Sequence, residues 1–262
     1  CLKIERLAST NETVVYGLGE LHLRVLLERL QGGYKFEVET QPPRIAYRET
    51  IAQNAAAQYR HKKQSGGAGQ FGEVHLRVEP LPRGAGYEFV DQVKGGTIPG
   101  QFMPAVEKGV REALAEGVIA GYPVQDIRVI VHDGKSHPVD SKEVAFVTAG
   151  KKAVQLAIRE ARPTVLEPIA RIAITAPDGA TGAITGDLSS RRGIVSGTDT
   201  PRPGQVAITA QVPLAELASY QARLDSLTAG QGVYTLALSH YEVVPPQVQQ
   251  QLAGQYRVKE EE

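Results

Sequence analysis

From residue 167 onward the chain presents a strand, a helix, two strands, a helix and a strand, and that order narrows the fold more than any other feature. Residues 169–176 read as a strand, 181–191 as a helix and 194–198 as a second strand. The turn Pro201-Arg202-Pro203-Gly204 leads to a strand at 206–212, a helix at 213–227 and a last strand at 233–240. Leu214, Leu217, Leu224 and Leu227 give the second helix a buried stripe, and Gly230 and Gly232 end it. This βαββαβ order is the split-βαβ or ferredoxin-like arrangement, so the class is α+β.

The preceding residues organise differently. Residues 2–7 and 13–16 alternate as strands, and residues 19–33 turn helical, with Leu23, Leu26, Leu27 and Leu30 on one side and Gly32-Gly33 as the stop. A strand at 34–38 is expected to follow. Such an αβ unit cannot cover its own sheet, because both faces need apolar cover, so further sequence is expected before it. A start at Cys1 rather than Met agrees with that expectation.

The Pro-Pro link in QPPRIAY marks a domain boundary. Beyond it residues 45–51 look extended, and AAAQYRHKKQ is extended by pattern or helical by propensity. Val74, Leu76 and Val78 alternate with Glu73, His75, Arg77 and Glu79 as a half-buried strand. Pro104 opens a helix with Val106, Val110, Ala113 and Leu114 as its apolar stripe and Glu107/Arg111 and Lys108/Glu112 as i,i+4 pairs. QDIRVIVHD is a strand, and a helix follows over residues 142–159, with Asp140 and Glu143 placed as a capping-box variant. The segment after Pro245-Pro246 is polar and is expected to be solvated.

QSGGAGQFGEV contains a formal GxGxxG at Gly67, Gly69 and Gly72, with Asp91 nineteen residues further on, near where a dinucleotide fingerprint places its ribose ligand. A pyrophosphate site needs the glycine turn to open a helix, and here a strand follows. The glycines read instead as a hairpin tip, where positive φ comes easily. YRHKKQ brings Arg60, His61, Lys62, Lys63 and Gln64 to that tip, which suits contact with a phosphate backbone.

A second loop, HDGKSHPVDSKE, joins a strand to a helix and carries Lys135, Ser136, His137 and Lys142 around the turn residues Asp133-Gly134. Its His132, Asp133, His137 and Asp140 match no metal-ligand spacing, and adjacent loop residues seldom form a catalytic triad, so no metal and no catalytic residues are assigned.

Lys+Arg and Asp+Glu balance at 29 each, so a nucleic-acid partner has to rest on local charge. Arg44, Arg48, Arg60, Lys62, Lys63 and Arg77 against Glu49 and Glu73 supply it. Cys1 is the single cysteine, which excludes an intrachain disulfide and fits a reducing compartment, with the cytoplasm as the default location. No apolar run is long enough to suggest a membrane span.

Six blocks carry a family resemblance: GLGELHLRVLLERL, QPPRIAYRETI, QSGGAGQFGEV, VEPLPRGAGYEFVDQVKGGTIPGQFMPAVEKGV, HPVDSKEVAF and GDLSSRRG. Taken in order they resemble the C-terminal half of bacterial elongation factor G or an elongation factor G-like paralogue. The resemblance implies the end of a third domain at 1–43, a blade-shaped, ribosomal-protein-like βαβ fourth domain at 44–164, a ferredoxin-like fifth domain at 165–245 and a polar tail at 246–262. It places the GTPase domain, with its GTP and Mg2+, upstream, and no cofactor on this chain, where GxxxxGK[ST] does not occur.

The implied partners are both subunits of the ribosome with their rRNA, and tRNA and mRNA at the decoding centre, for a monomeric factor that promotes translocation. Recycling or rescue by a paralogue, and an autonomous RNA-binding module, are the alternative roles. The resemblance sets Gln64, Ser65, Gly66, Gly67, Gly69 and Gln70 in one RNA-contacting tip loop and Lys135, Ser136 and His137 in the other. Lys62 and Lys63, which lead into the tip, are expected to face rRNA, and Arg191 and Arg192 to face rRNA of the large subunit or serve as favourably placed cations at a helix C-terminus. Where the family commonly reads GGRGQYG this chain has Ala68 and Phe71, and its histidine loop carries Lys135, Pro138 and Lys142 at altered positions, so a cation has moved from one loop to the other.

Overall fold

A computed structural model describes residues 2–7, 10, 12–17, 20–63 and 69–256. The chain forms two compact units, Cys1–Ala46 with Pro168–Ser239 and Tyr47–Glu167 with His240–Glu262.

In the N-terminal segment Lys3–Leu7 (β1) and Glu12–Tyr16 (β2) pair antiparallel, followed by the helix Glu20–Tyr34 (α1). The expected stop at Gly32-Gly33 is corrected. The helix runs through both glycines, and the left-handed step that ends it falls on Lys35, at φ 56. The expected strand at 34–38 does not form either: Tyr34, Phe36 and Val38 are all exposed, so their alternation finds no face to bury.

The second unit opens with Arg48–Ile51 (β3), Ala55–Lys63 (β4) and Gln70–Pro80 (β5). The alternative left open for AAAQYRHKKQ resolves as strand, because β4 sets Ala55, Ala57 and Tyr59 opposite Val78, Leu76 and Val74 on the buried face. Tyr87–Asp91 (β6), Met103–Glu116 (α2) and Ile127–Lys135 (β7) complete a βαβ crossover in which β6 and β7 are parallel, and Glu143–Glu160 (α3) follows. The sheet order is β4-β5-β7-β6. Val74, Leu76, Val78, Val129 and Val131 share one core with Val106, Val110, Phe146, Val154 and Ile158 of the two helices, leaving the other sheet face uncovered by them. Asp133 and Gly134, expected in a turn, lie within β7, and the register shifts beside them between His75 and Leu76.

The two helices approach closely along small residues. A Cβ on Gly109 would overlap the Val147 carbonyl oxygen, so only glycine admits this crossing. β3 is held by charge instead. The Glu49 side chain is fully buried and accepts four backbone N–H groups, from Val118 (2.7 Å) and Ile119 (3.1 Å) on Oε2 and from Ala120 (2.8 Å) and Tyr122 (3.1 Å) on Oε1. A carboxylate so surrounded replaces the water those amides lose on burial.

Pro163–Pro177 (β8) pairs with β3 through Pro163, Thr164, Val165 and Leu166, and residues 169–177 pair with a later strand in the other unit. That unit adds Thr181–Ser190 (α4), Ile194–Arg202 (β9), Gln205–Pro213 (β10), Tyr220–Thr228 (α5) and Val233–Val243 (β11). The order β11-β8-β10-β9 is the ferredoxin-like one expected from the sequence. The single helix expected at 213–227 is in fact a 3-10 turn, Leu214–Leu217, and then α5, with Ser219 left-handed between them. The Arg191 guanidinium donates to the Glu216 carbonyl at 2.6 Å, taking the acceptor that a continuous helix would offer to the amide of Tyr220.

The start of the expected polar tail is also corrected, since Pro246–Gln255 (α6) is a helix. Its Val248 and Leu252, one turn apart, pack with Val165, Val244, Tyr47 and Tyr122, and Gln249 bonds both the Val165 amide and the Pro163 carbonyl.

Candidate nucleic-acid interface

The hairpin β4–β5 and the loop from β7 to α3 meet at one end of the four-stranded sheet. Gln64, Ser65, Gly66 and Gly67, the expected centre of the hairpin tip, lie outside the described residues. Gly69 and Gln70 are placed where the strand resumes. The Gly69 amide donates to Asp140 Oδ1 at 3.2 Å, and the Phe71 amide donates to the Asp140 carbonyl at 2.9 Å. Ser141 Oγ accepts from the His137 amide at 2.8 Å and donates to the Phe71 carbonyl at 3.0 Å. The two loops, some seventy residues apart in sequence, are therefore joined by backbone bonds and two short polar side chains.

Gly69 and Gly72 do not take the positive φ expected of a hairpin tip. They are small because something lies against them: a Cβ on Gly69 would meet Asp140 Cγ at 2.8 Å, and one on Gly72 would meet the Ala145 backbone at 3.2 Å. The capping box expected of Asp140 and Glu143 does not form. Lys142 is the N-cap of α3, with no side-chain bond to the first turn, because Asp140 is engaged with the hairpin. A lysine there opposes the helix dipole at a cost of about 0.3–1 kcal/mol. Local rules broken in this way are common where a surface serves a partner.

His137 is exposed, and its Nδ1 accepts the amides of Val139 at 3.3 Å and Asp140 at 3.1 Å. In the neutral ring those two bonds leave the proton on Nε2. Asp140 Oδ2 also lies 3.4 Å from Nδ1, but two acceptors facing each other make no bond. That contact becomes an ion pair only for a charged ring that has given up both amide donors. Pro138 and Val139 are exposed beside it, Val139 at 76%. Ser136 is half-buried, and Gln70 Oε1 lies 3.2 Å from His61 Nε2.

Charge divides along the blade. On the sheet, Glu73 pairs with Arg60 and with His75 (2.8 Å), Arg77 with Glu79 (3.2 Å) and Arg128 with Glu88 (2.6 Å). The Arg60 guanidinium, helped by His75, holds the Glu73 carboxyl below the usual range against the opposing effect of burial. Half the cations that made the sequence look basic are thus matched within the chain, Arg44 included, through Glu12 at 3.3 Å. Lys62, Lys63, Lys135 and Lys142 are exposed, and none of them forms an ion pair with a carboxylate among the described residues. Four exposed lysines outside any ion pair among the described residues therefore gather at the tip.

Arg191 and Arg192 belong to the other unit, at the end of α4. Arg191 donates to Asp187 at 2.8 Å and stands 5.2 Å over the Tyr220 ring, and Arg192 pairs with Glu216 at 2.9 Å. Burial pushes the Asp187 carboxyl up, yet the guanidiniums of Arg223 and Arg191 outweigh it and hold the group below its usual value. These arginines tie α4 to the segment before α5.

Sequence reading missed Asp140 and Ser141 as the joint. The signal available was Pro138-Val139-Asp140-Ser141, a turn-forming run whose short side chains reach neighbouring backbone.

Comparison with known proteins covers nearly the whole chain. Residues 1–42 match the sequence model of elongation factor G domain III, residues 43–162 that of domain IV and residues 164–252 that of the elongation factor G C-terminus. The chain is 47% identical over 248 residues to an elongation factor G-like protein of Thermotoga maritima, covering 95% of this chain and 36% of that one. It is 42% identical over 246 residues to elongation factor G of Aquifex pyrophilus, covering 94% and 35%. A crystal structure of a Thermus thermophilus protein superposes with a TM-score of 0.84 at 43% identity, over 96% of this chain and 37% of that one. The chain thus spans about a third of the length of the relatives it matches.

Proposed function

This chain belongs to the elongation factor G family, and from that premise we propose that it is the ribosome-contacting arm of a translational GTPase that promotes movement of tRNA and mRNA. The observation that carries the reading is the tip, where two distant loops are locked together and four exposed lysines lie outside the ion pairs of the sheet. RNA rewards such an arrangement, because unpaired cations on a rigid protrusion displace counterions from phosphates. The tip supplies shape, charge and an imidazole N–H, and its action is mechanical: it occupies space and holds RNA.

GTP and Mg2+ fall to a domain outside this chain. Its own sequence contains no GxxxxGK[ST]. The likeness to a protein described as elongation factor G-like, at 47% against 42% for elongation factor G, keeps a second reading in which the parent serves recycling or rescue through the same tip.

Ribosome binding under a salt titration tests the reading. Four phosphate contacts predict that log K falls with log salt at a slope of about −3, and replacing Lys62 and Lys63 with Gln should make it shallower by about 1.5. Unchanged slope in that variant would contradict phosphate contact at the tip.

A further inference from the structure

We propose that Asp140 is a positioning residue that makes the two tip loops one element and sets His137 in its Nε2–H tautomer. The proposal rests on the reading of the tip as an RNA-contacting surface and adds what holds that surface in shape. Three groups of Asp140 act at once. Its Oδ1 takes the Gly69 amide at 3.2 Å, its carbonyl takes the Phe71 amide at 2.9 Å, and its own amide donates to His137 Nδ1 at 3.1 Å. One residue therefore bonds the hairpin on one side and the histidine on the other.

The steric fit is equally specific. Gly69 is buried against the Asp140 carboxylate so closely that any Cβ would stand 2.8 Å from Cγ. Ser141 continues the joint, its hydroxyl passing from the His137 amide to the Phe71 carbonyl, and the Phe71 and His137 rings lie 6.2 Å apart. With Nδ1 occupied by two amide donors, the ring offers a partner a single hydrogen-bond donor at Nε2. The chemistry that fits is a neutral acceptor, such as a ribose hydroxyl, a base carbonyl or a ring nitrogen. Phosphate is left to the lysines.

The test is nitrogen NMR of the histidine rings in the 262-residue chain, with amide exchange read at Gly69 and Phe71. The wild-type ring should show one tautomer, protonated at Nε2. Asp140→Asn keeps an acceptor for the Gly69 amide and should preserve that tautomer. Asp140→Ala should give a mixture and speed exchange at Gly69 by about tenfold or more, as expected when a local hydrogen bond is lost. Gly69→Ala should do the same by pushing the carboxylate aside, and should add nothing in the Asp140→Ala background.

Intact exchange in β5 and α3 would show that the variants are folded, and Ser141→Ala provides a second break in the joint if Asp140→Ala is not. A single Nε2–H tautomer and unchanged Gly69 exchange in Asp140→Ala would overturn the proposal. A protein joining this chain to a GTPase domain separates the two ideas. If His137→Ala leaves its ribosomal step unchanged, the RNA reading fails, and the NMR result still decides the joint.

Discussion

Replacing Glu49 with Gln changes one atom of a side chain that the fold surrounds completely, and the expected loss can be worked from its four bonds. Each carboxylate oxygen takes two backbone amides, at 2.7 and 3.1 Å on one side and 2.8 and 3.1 Å on the other. Whichever way the new amide turns, its NH2 faces two N–H donors and satisfies neither. Two amides then go without acceptors at about 1–3 kcal/mol each, so the variant should lose about 2–6 kcal/mol. The loop has little room to retreat, because Gly117 packs against Tyr122 and Glu49 in a left-handed turn at φ 78.

Urea denaturation followed by circular dichroism measures the total, and amide exchange at Val118, Ile119, Ala120 and Tyr122 localises it. Exchange is the sharper assay, since a chain of two units need not unfold in one step. Glu79→Gln is the control. That residue is a partly exposed member of surface ion pairs, and its loss should be below about 1 kcal/mol. A Glu49→Gln variant as stable as the control, with the four amides still protected, would refute the reasoning.

Two other perturbations follow from packing and charge. Gly109→Ala should destabilise the blade unit by about 2–4 kcal/mol, because the methyl would overlap the Val147 carbonyl and α2 would have to move from α3, a loss that thermal melting should show. Asp187, held below its ordinary range although burial opposes this, contributes stability that is fully present above its unfolded pKa near 3.9 and is lost as pH falls through its lower folded value. Asp187→Asn should therefore remove stability at pH 7 and flatten the acid limb of the ferredoxin-like unit below about pH 4, whereas an unchanged limb would show that Arg191 and Arg223 do not depend on it.

The parts of this fold that were legible in the sequence are those where periodicity and burial agree. Val74, Leu76 and Val78 alternate and are buried, and the βαββαβ order from residue 167 predicts a sheet whose strand order the structure reproduces. Failures came where a local signal met a distant partner. Pro213 and the leucines after it promise one helix, but Arg191, more than twenty residues earlier, takes the Glu216 carbonyl and breaks it. Polar composition hid α6, whose two apolar side chains suffice to dock it.

The candidate site shows the same division. Lys62, Lys63, Lys135 and His137 are candidates by composition and by family blocks, and the structure places all four exposed at the tip. Asp140 was assigned to the helix that follows it, because no rule within the sequence places a carboxylate against a glycine seventy-one positions away. The basic segment was overcounted for a related reason: Arg60 and Arg77 look like free charges until strand register sets Glu73 beside Arg60 and the two-residue period of β5 sets Glu79 beside Arg77.

The central claim is that the tip acts on RNA by contact, apart from the chemistry of the nucleotide. Rapid kinetics on ribosomes tests it most directly, with GTP hydrolysis and RNA movement followed in one preparation of a protein that joins this chain to a GTPase domain, as wild type and as His137→Ala. Loss of the Nε2–H should slow movement by about tenfold, the worth of one hydrogen bond at about 1.4 kcal/mol, with hydrolysis nearly unchanged. Equal losses in both steps, or no loss in either, would contradict the account.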